Sequence, residues 1–270
     1  MENGGKKIKR VKIYNCGYCV NNLKLVFKNY KKEIRKFPAQ VVLIQHSKLG
    51  NILYDTGYSD LVYKNHIVSH IYNIFNRTFV KDEDTIITKL DEDDIFKSDI
   101  SKVILSHAHP DHIGALRLLP SYELISTAEV FNTMSKKHLT DLVFKNMLPA
   151  DGISRNIAPG FKGETILRKY FDKIYDVLGD GSVLGMALNG HAKGQLGIFL
   201  PEYNLLFGAD ACWGEDLLGS VDDMRFIARR IQNNFSEYKA TAEKLLKLKK
   251  DYPNIKIIFS HGGEKERSYE

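Results

Sequence analysis

The chain has 270 residues, 39 Lys+Arg against 33 Asp+Glu and a formal charge of +6. With 43% hydrophobic residues, a chain of this length buries roughly three quarters of its unfolded surface, which excludes disorder as its main state. No apolar run approaches the ~20 residues of a membrane-spanning helix, and the modest positive balance comes without a recognisable nucleic-acid module.

Residues 1–10 carry positive charge without the apolar stretch of a secretory signal. Three cysteines, Cys16, Cys19 and Cys212, are an odd number in a long chain and suit a reducing compartment. The expectation is one domain over residues 1–270, in the cytoplasm.

Apolar alternation predicts strands over residues 9–14, 39–46 and 51–54, the last two joined by a turn at 48–51. The spacing of Leu61, Ile67, Ile71, Ile74 and Phe75 predicts a helix within residues 60–76, and a second follows over 84–96. A short buried strand at 102–106 leads directly into a loop dense in His and Asp. Beyond it come a strand at 122–125, helices at 127–134 and 140–147, and a Gly/Pro-containing loop at 150–163. Strands at 182–188, 194–200 and 204–208 form a meander with a tight turn at 201–204. Helices follow at 221–230 and 235–250, and residues 255–260 make a last buried strand. The order is mixed α/β in two halves, with polar clusters directly after strand ends in both.

The first of those clusters is His107-Ala108-His109-Pro110-Asp111-His112, four potential metal ligands within six residues. His107 and His109 can bind one ion from a single turn, while Asp111 and His112 point toward a second. Gly114 is expected to let the chain pass close to the metals. Three further candidates, His191, Asp210 and His261, each follow a predicted strand, where a rigid scaffold presents ligands. Sorting them gives one site of His107, His109 and His191, a second of Asp111, His112 and His261, and Asp210 as a carboxylate bridging the two. Each metal then keeps an open side for a shared hydroxide.

These residues resemble the metallo-β-lactamase superfamily, whose HxHxDH signature stands here as His107, His109, Asp111 and His112, with the later His, Asp and His in the same order. Within it the chain is most similar to the N-acyl homoserine lactonases, the quorum-quenching group. The likeness lies in Asp55-Thr56-Gly57, Ser106 to His112, Gly190-His191-Ala192-Lys193-Gly194-Gln195 and Ser260-His261. Phe75-Asn76-Arg77-Thr78-Phe79 is similar to a stretch that helps form the acyl pocket there.

The resemblance implies an αββα sandwich with two divalent metal ions, zinc first and iron or manganese as alternatives. It implies that their bridging hydroxide opens an acyl ester such as an N-acyl homoserine lactone. Asp111 would shuttle a proton to the leaving group, and Asp55 would orient a metal ligand from behind. Where that group carries a tyrosine three residues after the bridging Asp, this chain has Trp213, an N–H donor without an acidic proton.

Two other readings use the same residues. A thioesterase of the glyoxalase II kind has a thiolate leaving group that needs less acid assistance. A non-catalytic effector would bind an acyl metabolite in an apolar pocket lined by Trp213, Phe75 and Phe79. His46, His66, His70 and His138 are read as ordinary surface or core-edge histidines. Cys16-Gly17-Tyr18-Cys19 is a lone pair without the context of a redox or zinc motif. The cations from Arg225 to Lys250 are read as solvated helix faces.

Overall fold

The computed structural model describes residues 5–64, 66–136, 142–149, 153–157, 160–263 and 265–270. One sheet is built from β1 (Ile8–Asn22), β2 (Ile34–His46), β3 (Gly50–Tyr54), β4 (Arg77–Phe79), β5 (Ile100–Ile104), β6 (Glu123–Ser126) and β7 (Ile153–Asn156). A second contains β8 (Ile174–Asp176), β9 (Leu184–Ala187), β10 (Leu196–Leu200), β11 (Leu205–Phe207) and β12 (Lys256–Ile258), and β13 (Arg267–Tyr269) returns to the first. The strand orders are β13-β1-β2-β3-β5-β6-β7, with β4 also on β1, and β12-β11-β10-β9-β8.

Alternation along β2 explains the layering. Ala39, Val41 and Leu43 face an outer core, and Val42 and Ile44 face a core between the sheets. The outer core receives the buried sides of α2 (His66–Phe75), α3 (Ile86–Asp91) and α5 (Ala128–Lys136) through Tyr72, Ile86, Leu90, Val130 and Met134. The second sheet is covered by α1 (Leu23–Val26) and α7 (Phe235–Asp251), through Leu23, Val26, Tyr238, Ala242, Leu245 and Leu248. The short helices α4 (Pro110–Ile113) and α6 (Phe226–Arg230) sit at loop positions. The result is the expected two-sheet sandwich with helices outside.

Several elements differ from the sequence reading. β1 runs on through Cys19 to Asn22 because a bulge at Gly17 (φ +77°) absorbs the break in alternation. The predicted loop at 150–163 contains β7, parallel to β6; its polar sequence Ser154-Arg155-Asn156 hides it from any apolar pattern. The helix predicted at 221–230 is a 3₁₀ stretch, Glu215–Asp223, followed by the single turn of α6. Of the helix predicted at 140–147, residues 140–141 lie outside the described residues and Lys145–Met147 form one 3₁₀ turn.

Candidate metal centre

Every candidate ligand sits just beyond the C-terminal end of a strand. His107 and His109 follow β5, and His191, Asp210 and His261 follow β9, β11 and β12. Asp111 and His112 lie in α4, which starts at Pro110; proline is pre-organised for a first helical position and lacks only an N–H that would be unpaired there. Parallel pairing sets the C-terminal end of β5 beside that of β3, which leads into Asp55, and the end of β11 beside that of β12.

The side chains gather there as two groups: His107, His109 and His191, and Asp111, His112, Asp210 and His261. All are buried except His109, which is half-buried. His109 Nδ1 lies 3.0 Å from His107 Nε2 and 2.9 Å from His191 Nε2. In the second group His261 Nε2 lies 3.3 Å from Asp111 Oδ2, and His112 Nε2 lies 3.3 Å from Asp210 Oδ1. Asp210 Oδ2 is 2.9 Å from His261 Nε2 and 3.4 Å from His191 Nε2, so this one oxygen faces an imidazole of each group.

Outer partners fix which nitrogen of each ring faces inward. His112 Nδ1–H donates to Asp55 Oδ2 (2.7 Å), His191 Nδ1–H to Gln232 Oε1 (2.8 Å) and His261 Nδ1–H to the Pro38 carbonyl (2.7 Å). Ser106 supplies Asp55 with two further bonds, from its N–H (2.8 Å) and its hydroxyl (2.7 Å), and the hydroxyl oxygen also lies 3.0 Å from His107 Nδ1. Each of these imidazoles therefore turns a lone pair into the cluster, the arrangement that metal-binding histidines need.

The donor set fits cations. His109 Nδ1 meets two Nε2 atoms but can give at most one proton, so a lone pair is left over, and His112 Nε2 and Asp210 Oδ1 are buried without a hydrogen-bond partner. Two nitrogens bound to one tetrahedral ion lie about 3.4 Å apart, close to the spacings seen. Among the side chains alone, burial holds His107 well below its ordinary pKa and His109 down at about 3, with neighbouring imidazoles adding to it. Neutral imidazole is the ligand form. Burial opposes charge in the second group too, yet His112 and His261 hold Asp111 and Asp210 well below the carboxylate range. The same contacts lift His261 to about 10 against its burial.

Asp55, at φ +62°, accepts a hydrogen bond from Nδ1–H of His112, one of the candidate ligands. Gly114 differs: a Cβ there would lie 2.3 Å from the Gly57 carbonyl, so its role is to let α4 pack on the Asp55–Gly57 turn. Trp213 is half-buried, its ring edge-on to Phe37 (6.4 Å), which in turn stands edge-on to His261 (6.3 Å). Phe79 stacks on Tyr18 at 5.2 Å, and the surroundings of the Phe75 side chain lie outside the described residues. His46 pairs with Asp180 (3.0 Å), His70 is exposed on α2, and His138 lies outside the described residues. Ser106, Gln232, Phe37 and the Pro38 carbonyl were not singled out from the sequence. No spacing connects Gln232 or Pro38 with the histidines they support.

In fold the chain is similar to an N-acyl homoserine lactone hydrolase solved with N-hexanoyl-L-homoserine at its catalytic metal center (18% identity, 95% of this chain and 94% of that one, TM-score 0.72). It is also similar to a B. thuringiensis variant with N-decanoyl-L-homoserine bound (17%, 95% and 94%, 0.71). A third such structure is a probable metal-dependent hydrolase from Staphylococcus aureus (13%, 95% and 89%, 0.67). No curated protein matches the chain in sequence. The sequence model of the metallo-beta-lactamase superfamily matches residues 34–261, from the second strand to the last candidate ligand, and the chain belongs to that superfamily.

Proposed function

We propose that this protein is a metal-dependent hydrolase of acyl esters, with lactones of the N-acyl homoserine type as its first substrate class. The observation that carries this reading is the pair of adjoining donor groups sharing Asp210, with their imidazoles aimed inward by outer partners. The substrate class rests on the fold neighbours that bind acyl homoserines.

His107, His109 and His191 would hold one cation, Asp111, His112 and His261 a second, and Asp210 both, zinc being the first choice and iron or manganese the alternatives. Cations held there would supply Lewis acidity toward the ester carbonyl and lower the pKa of a bound water toward neutral. Asp111 accepts the proton that the attacking water gives up and passes it to the leaving alkoxide. Trp213, packed edge-on to Phe37 beside His261, would offer the ester an indole N–H donor, without an acidic proton to give. Asp55 and Gln232 hold His112 and His191 against rotation.

Trp213 also favours a second reading, an acyl thioester substrate, because a thiolate departs without an acid. Both are tested by proton release from a medium-chain acyl homoserine lactone and from the same acyl group as a coenzyme A thioester. The assay compares metal-loaded and chelated protein. Lactone opening that requires metal and falls about 10²–10⁴-fold in Asp111→Asn at equal metal content is expected. Thioester cleavage alone moves the assignment to a thioesterase. Turnover that survives chelation defeats both, and a bound but unchanged ligand leaves a binding protein.

A further inference from the structure

The surface where α1 meets α6 combines two properties that are seldom left in water together. Arg225 N–H donates to the Val26 carbonyl (2.7 Å), Lys28 N–H donates to the Asp223 carbonyl (2.8 Å), and Phe27 bridges to Met224. Along this seam Leu25, Ile34, Phe226, Ile227 and Ile231 are 70%, 63%, 74%, 69% and 51% exposed. An exposed apolar group of this size marks an interaction surface.

Cations surround it. Lys24, Lys28, Lys31 and Lys32 are exposed and form no ion pair among the described residues. Arg225 and Arg229 donate to the carbonyls of Lys24, Met224 and Asp222, which leaves their charges uncompensated, and Arg230 lies over the Phe226 ring at 5.9 Å. Of the nearby carboxylates, Asp222 is bound to Lys239 (2.6 Å) and Asp216 to Arg35 (2.8 Å), while Glu33 and Asp223 offset part of the charge, so the cations stay in excess.

We infer that this face docks on an anionic lipid bilayer. The apolar side chains enter the headgroup boundary while the lysines and arginines meet lipid phosphates. A second copy would set the same cationic face against itself across a two-fold axis, which like charges oppose. Nucleic acid would meet the charge, but of the five exposed apolar side chains only Phe226 can stack on a base. In the chain the face leads to the metal centre through Ile231, which precedes Gln232, the partner of His191. Docking there sets the cluster beside the phase in which amphiphilic molecules collect. It does not depend on the reaction proposed above.

The test is co-sedimentation of full-length, metal-loaded protein with vesicles rich in phosphatidylglycerol and with vesicles of phosphatidylcholine alone. Binding to the first and not the second is expected. Lys31→Ala/Lys32→Ala lowers partitioning about 25-fold, at about fivefold per cation, and Phe226→Ser/Ile227→Ser lowers it at least about tenfold. Both variants keep the parent's Tm and metal content. Absence of binding to the anionic vesicles, equal binding to both vesicle types, or binding that either double variant leaves undiminished overturns the inference. So does a dimer dispersed by Phe226→Ser/Ile227→Ser, or retention on RNA, in place of vesicle binding.

Discussion

Asp55 shows how much one carboxylate controls. It is buried and accepts hydrogen bonds from Ser106 N–H, Ser106 Oγ–H and His112 Nδ1–H. Asp55→Ala removes the shared acceptor of three buried donors, of which only the Ser106 hydroxyl has imidazole nitrogens near enough to re-pair with, and loosens the His112 ring, so a loss of about 2–3 kcal/mol in stability is expected. Asp55→Asn keeps the volume but weakens the hold on His112, and metal titration should show about 10–100-fold lower affinity. Two cations bound at parental affinity in Asp55→Asn would show that His112 needs no such support. The cysteines carry a different expectation. Burial pushes all three thiols up, Cys212 to about 12, and Cys16 and Cys19 belong to different cores on either side of β1. A thiol reagent should find none of them in the folded protein and all three after denaturation; fast labelling of the native chain would contradict this. The candidate ligands were legible because imidazoles and carboxylates at that density have little other use. Ser106 and Gln232 were not, since a serine or glutamine side chain advertises no role until its neighbour in space is known.

Short elements set the geometry around those residues. Gly190 takes φ +123°, and a Cβ there would fall 2.1 Å from Tyr238 N, inside the first turn of α7. Gly190→Ala should therefore cost about 3 kcal/mol or more and lower Tm by on the order of 10 °C. Gly219→Ala, which meets nothing within 4 Å, serves as control. Equal melting of the two variants would refute the packing argument. The stretch after α3 is tied to β1 by Asp93, whose carboxylate accepts from Lys12 Nζ (2.5 Å) and from the Tyr14 hydroxyl. Burial raises the Asp93 pKa, but these donors outweigh it and hold the group below its usual range. A carboxylate with a depressed folded pKa stabilises fully above its unfolded value and loses that contribution as pH falls through the folded one. Urea unfolding should show Asp93→Asn less stable than the parent by about 1–2 kcal/mol at pH 7, with the gap closing toward pH 3; a constant gap would exclude the linkage. Elements with a continuous apolar run, such as β2 and β10, or a sustained helical period, such as α7, could be read from sequence. β4, β8 and β13 could not, because each is three residues of mixed polarity, whereas β11 and β12, equally short, lie in apolar runs.

At the scale of the whole molecule, the metal cluster is a concentrated source of unfavourable burial: five imidazoles and two carboxylates withdrawn from water at one edge. Cations that bind only the folded chain offset it, by about 4 kcal/mol at a thousandfold excess over Kd, which is on the order of 10 °C in Tm for a chain of this size. Scanning calorimetry of chelated and zinc-loaded protein should show that rise; an unchanged Tm would mean that the donors hold nothing. The αββα architecture was expected through the resemblance, and the strand order, which pairs β1 with β2, β4 and β13, could not come from local pattern. That order also bears on how the chain acquires its ligand cage. β1 is flanked along its length by strands from opposite ends of the described chain, and β12, which presents His261, joins β11 in parallel only after the whole of α7 has intervened. Such distant pairings close late because loop entropy is lost before any contact is gained. The first group, His107, His109 and His191, is assembled within the chain's middle, whereas the second waits for the final strands. A nascent chain would thus bring three candidate donors together before the other four, and if both groups hold cations the order of loading would follow the topology.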